Sequence, residues 1–131
     1  MRRGPPGGER PVPDERPVSL RPVDVVIDCA DHEPVVAFWS AALGWEVRSV
    51  NAQYVALVPA GGGLSILFQK VPEPKTGKNR VHLDFRTEDR AAEVARLVAL
   101  GATVTAEHCL GDFCWTVMSD PVGNEFCVNA G

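Results

Sequence analysis

The order of segments in this chain is written twice, and that repetition limits its folds more than any other feature. Val23 to Cys29 is rich in β-formers, and Asp31 is placed to cap a helix carrying Val35, Phe38, Trp39, Ala42 and Leu43 at helical spacing. Gly44 suits the left-handed position that stops such a helix. Strand-like runs follow at Glu46–Val50, Gln53–Val58 and Leu64–Val71, and the glycines Gly61 to Gly63 turn the chain between the last two. After a polar linker, Pro72 to Asn79, the pattern begins again. Arg80–Arg86 reads as a strand and Glu88–Leu100 as a helix ending at Gly101. Strands are expected at Thr103–Glu107, Cys114–Ser119 and Asn124–Asn129, with a tight turn at Asp120-Pro121-Val122-Gly123.

The two halves also agree in detail. Asp31 precedes Leu43 by twelve residues, as Glu88 precedes Leu100, and both helices end in Ala-Leu-Gly. A unit repeated at about 57 residues implies an α+β fold of two βαβββ modules, neither able to bury its sheet alone. The modules are expected at about 23–71 and 80–129 of one domain spanning 21–131. Residues 1–20 hold five prolines among glycines and charges, and are expected to form a disordered tail.

Composition then excludes several partners. The net charge is −4 and no Lys/Arg cluster lies within the repeats, which argues against nucleic acid and anionic membrane. No apolar run approaches the roughly 20 residues needed to span a bilayer. Arg2 and Arg3 are followed by glycine and proline where a signal peptide needs apolar residues, so a cytoplasmic protein is expected. The four cysteines, Cys29, Cys109, Cys114 and Cys127, are then expected to be reduced, and none shows the CxxC spacing of a structural zinc site.

The segments Asp28-Cys29-Ala30-Asp31, Phe38-Trp39 with Ala42-Leu43-Gly44-Trp45, Val81-His82-Leu83-Asp84, and Asp120 to Phe126 carry a family likeness. Over roughly Asp24 to Val128 the chain resembles the vicinal oxygen chelate superfamily of glyoxalase I, bleomycin-resistance proteins and extradiol dioxygenases. Within it, the chain looks most like the glyoxalase-like proteins common in actinobacteria. The resemblance implies half-barrel modules around a small-molecule pocket. It also implies a test, because glyoxalase I holds its metal by one side chain from the first and last strand of each half. Carried over by spacing, those positions fall on Asp24, His82, near Leu67, and on Cys127. Leu67 cannot ligate, and Cys127 would supply a soft thiolate in place of a hard carboxylate. No bound metal or other cofactor is expected.

Side-chain alternation along strands defines what else would face such a pocket. His82, Asp84 and Arg86 share one face, as do Asp24 and Asp28, and as do Glu125 and Cys127, with Gln69 joining from a neighbouring strand. Ionisable groups on a concave face must pair, bind water or meet a ligand. The functional expectation assigns acid–base work to His82, Asp84 and Glu125. Asp24, Asp28, Gln69, Arg86, Trp115 and Cys127 are expected to contact a ligand. A self-satisfied network, such as Asp84 or Asp28 with Arg86, is the structural alternative. His32 and His108 are expected at the surface, His108 within a loop 107–113. No phosphate loop, nucleotide fingerprint, nucleophile elbow or HExxH occurs. Three functions remain: a metal-independent small-molecule binder or enzyme, an antibiotic-sequestering binder without catalysis, and a divalent-metal lyase, isomerase or dioxygenase using Asp24, His82 and Glu125. A homodimer is expected for all three, since half-barrels leave strand edges that a symmetric partner covers.

Overall fold

The computed structural model describes residues 18–130 of the 131-residue chain. The expected tail lies largely outside them. The first module runs β1 (Asp24–Cys29), α1 (His32–Leu43), β2 (Glu46–Ser49), β3 (Tyr54–Val58) and β4 (Ser65–Lys70). The second runs β5 (Leu83–Thr87), α2 (Arg90–Ala99), β6 (Thr103–Leu110), β7 (Phe113–Ser119) and β8 (Glu125–Ala130). Each forms a four-stranded sheet of the same order, β1-β4-β3-β2 and β5-β8-β7-β6. In each the first and last strands pair in parallel and the rest antiparallel. The α+β fold of two βαβββ modules is therefore the observed one.

Local chemistry explains the first helix. The Asp31 carboxylate accepts the Glu33 N–H at 3.1 Å, and Gly44 adopts φ 67° to donate its N–H to the Ser40 carbonyl. The second helix starts later than the sequence suggests. It begins at Arg90 rather than Glu88, because the Asp89 carboxylate caps it by accepting the Ala92 N–H at 3.1 Å.

Both helices lie on one side of the sheets. Val35, Phe38 and Trp39 of α1 are buried, and Trp39 meets Phe126 of β8 at 4.8 Å and Phe85 of β5 at 5.5 Å between ring centroids. The first module's helix thus packs on the second module's sheet. The Trp39 indole also donates to buried Asp120 at 2.9 Å, and Arg96 of α2 donates to the Ala42 carbonyl at 2.8 Å. Phe68, Leu57, Met118 and Val128 complete one continuous core. Along β1 and β5 the side chains alternate between this core and the opposite, uncovered face.

Three expectations are corrected here. Strand β5 begins at Leu83 rather than Arg80, because Leu83 opposite Phe126 is its first partner on β8. The segment 107–113 is not a loop: β6 and β7 stay paired through His108↔Trp115, Cys109↔Cys114 and Leu110↔Phe113, and Gly111 at φ 60° begins a two-residue turn. That register sets Cys109 and Cys114 opposite each other, Cα atoms 4.1 Å apart, and they form a disulfide. The expectation of reduced thiols holds only for Cys29 and Cys127, both buried.

Candidate functional site

The uncovered face of the second sheet gathers most of the chemistry. His82 lies one residue before β5, and its Nε2 stands 3.2 Å from an Asp84 carboxylate oxygen. Cys127 is opposite Asp84 across the β5–β8 ladder, and one ligand atom from each of the three residues falls within 4.8 Å of the others. Burial, then the neighbouring Asp84 charge, push the Cys127 thiol up, so its proton is held against the carboxylate. The expected pairing of Asp84 with Arg86 gives way to pairing with His82.

Two hollows meet at His82. One, of about 250 Å³, is walled by His82, His108, Trp115, Val117 and Cys127. The His108 and Trp115 rings pack side by side there, tilted 34° to each other with centroids 5.4 Å apart. His108 is thus a wall residue rather than a loop residue, and the Gly111-Asp112 pair between two apolar runs was the signal that could have placed it. The other hollow, of about 380 Å³, lies where β1 runs beside residues 80–83 and includes Val26, Asp28, Asn79, Arg80 and Glu125.

Glu125 faces both hollows but is already engaged. It accepts the Asn79 N–H at 3.0 Å and the Lys78 ammonium at 3.1 Å, and these contacts hold its carboxyl below the usual range, the Asn79 bond most of all. It ties the linker to the sheet. Asp28 and Gln69 are register partners in the first sheet, and Asp28 lines the larger hollow while Gln69 does not. Asp24 lies farther along β1, opposite Ser65, and does not join the His82 cluster. Arg86 borders a separate cleft of about 170 Å³ with Glu93 and Arg96. His32 is not a solvated surface ring: its Nε2 lies 3.0 Å from the Gln53 carbonyl and 3.2 Å from that of Phe68.

The sequence model of the glyoxalase-like domain family matches residues 24–129. The chain belongs to this family. Like other glyoxalase-like folds, it superposes on solved structures over most of its length. A glyoxalase/bleomycin resistance protein/dioxygenase family enzyme from Burkholderia phytofirmans matches with TM-score 0.67 at 21% identity, covering 82% of this chain and 95% of that one. A manganese(II)-bound mutant of the fosfomycin resistance protein FosX from Listeria monocytogenes gives 0.71 at 18%, covering 87% and 91%. The antibiotic binding protein TnmS3 from a Streptomyces species gives 0.64 at 21%, covering 86% and 98%. At these identities the likeness is one of fold. No curated protein matches it in sequence.

The metal set implied by the resemblance does not fit this glyoxalase-like chain. Of its four positions, Leu67 offers no donor atom, Asp24 stands outside the cluster, and Cys127 presents a thiol whose proton is favoured by its surroundings. No described helix is long and apolar enough to cross a membrane.

Proposed function

We propose that this glyoxalase-like protein binds a small organic molecule on the uncovered face of its second sheet, with His82 and Asp84 orienting it and carrying a proton where chemistry follows. The observation that supports this most is the position of His82, shared by two adjoining hollows and 3.2 Å from Asp84. An imidazole there can donate from one nitrogen and accept at the other, and a neighbouring carboxylate selects which. The adjoining rings of His108 and Trp115 offer an aromatic wall to a planar group. Asp28 approaches from the first module. Glu125 enters the reading as the residue that fixes the linker beside the site, and a metal-independent mechanism is proposed because the four-position set is broken at Leu67.

A thermal-shift screen of planar aromatic and antibiotic-type compounds tests it. Compounds that raise the melting temperature should perturb amide signals around His82, Trp115 and Cys127. His82→Ala should then weaken binding or turnover by about 1–3 kcal/mol, the size of a lost polar contact to a bound ligand, with a smaller effect on stability. Ligands whose perturbations map to the helices would remove the reading.

One observation favours a second reading. His82, Asp84 and Cys127 each place a ligand atom within 4.8 Å of the others, near enough to share one ion, and imidazole plus thiolate suits zinc better than manganese. Elemental analysis of dialysed protein decides between them: clearly less than one equivalent of metal supports the metal-independent reading, and a stoichiometric ion replaces it.

A further inference from the structure

The Cys109–Cys114 bond closes the far end of the β6–β7 hairpin, one residue beyond the His108–Trp115 pair. Its surroundings do not resemble those of a stability staple. The bridge joins residues only five apart, so the loop it closes restrains the unfolded chain less than a long-range bridge would, and in the folded state strand pairing already continues past it to Leu110↔Phe113. Strand β6 is an edge strand. Arg90 of α2 anchors the hairpin at Glu107 and Thr116, at 3.2 and 2.7 Å, but beyond them the tip has no core packing, with Leu110 72% exposed and Phe113, 44% exposed, resting only on the Trp115 ring. Cys109 is exposed, whereas the two free thiols, Cys29 and Cys127, are buried. A thiol reagent therefore finds one accessible sulfur pair on the described chain.

We propose that Cys109–Cys114 is a reversible thiol–disulfide exchange site, with a small dithiol as co-substrate, whose state sets the position of the His108–Trp115 wall. In the reducing direction a dithiol thiolate attacks Cys109 Sγ, the S–S bond breaks, and Cys114 Sγ leaves as a thiolate and takes a proton. The second sulfur of the dithiol then displaces Cys109. Two electrons and two protons pass to the protein, and the dithiol departs as its cyclic disulfide. With the bond open, the end of the hairpin is held by its ladder alone, and the ring pair beside it loses its clamp. The site concerns the same wall assigned to ligand binding above, but its chemistry does not depend on that assignment.

Full-length protein equilibrated with reduced or oxidised dithiothreitol tests this without any ligand. Alkylation and intact mass should show two added groups after reduction under native conditions and none after reoxidation, since Cys29 and Cys127 are shielded. Tryptophan emission should differ between the two states, and the difference should vanish in Trp115→Phe while Trp39 and Trp45 remain. Cys109 and Cys114 that stay open to alkylation in oxidised dithiothreitol would overturn the proposal. So would identical emission from the two states, or a difference that persists undiminished in Trp115→Phe. A failed ligand screen would leave each of these readouts unchanged.

Discussion

Asp120 remains only 3% exposed because four donors converge on its carboxylate. They are the Trp39 indole at 2.9 Å, the Val122 and Asn124 N–H groups at 3.0 and 2.9 Å, and the Asn124 side-chain amide at 3.3 Å. Three belong to the turn before β8 and one to α1 of the other module. Trp39→Phe keeps most of the ring volume but removes the indole donor, and should lower unfolding free energy by about 1–3 kcal/mol in urea titrations. Cys127 carries a different signature. Its folded thiol is raised, first by burial and then by Asp84, above the value it has when unfolded. Stability from this group is complete below the unfolded value and declines as pH rises through the folded one. Urea midpoints should therefore fall above about pH 9, and Cys127→Ala should flatten part of that decline, with Cys29, also raised by burial, acting in the same direction. A Cys127→Ala profile identical in slope to the parent would remove this account.

At the scale of elements, what was legible in the sequence was what depends on near neighbours. Asp31 and Gly44 delimit α1 from either end because a cap and a left-handed stop act within a few residues. An added Cβ at Gly44 meets nothing within 4 Å, so Gly44→Ala should cost only its backbone strain, about 1 kcal/mol by thermal or urea unfolding. A cost of several kcal/mol would mean that α1 and its following strand shift together. Distant partners set the features that were not legible. Leu83 starts β5 because Phe126 is there to receive it, and Asn79 is held by a carboxylate 46 residues away. Spacing alone grouped Asp24 and Arg86 with His82, whereas placement depends on how the two sheets meet. The hairpin pairing Cys109 with Cys114 had a local signal in Gly111-Asp112, which the reading of 107–113 as a loop passed over, while the expectation of reduced thiols rested on compartment alone.

On the whole molecule, helices cover one face of each sheet and leave the other bare. Val26, at 50% exposed, stands there beside Asp24 and Asp28, and β2 and β6 are open edges. A symmetric pairing of two chains would cover such a face, and light scattering at tens of micromolar should give twice the mass of the 14.1 kDa chain. The mass of a single chain would rule this out. The shared core has a further consequence for the chain's divisibility. Because Trp39 docks into the opposite half, on Phe85, Phe126 and Asp120, neither half owns a complete interior. The protein should therefore behave as a natural split reporter. Severed between Gly77 and Lys78, in the exposed linker, its two fragments should each give the circular dichroism of an unfolded chain when alone and recover the intact spectrum on mixing. Trp39→Ala in the first fragment should abolish that complementation. A fragment that folds by itself would show that one module can be inherited, duplicated or transplanted as a free-standing unit.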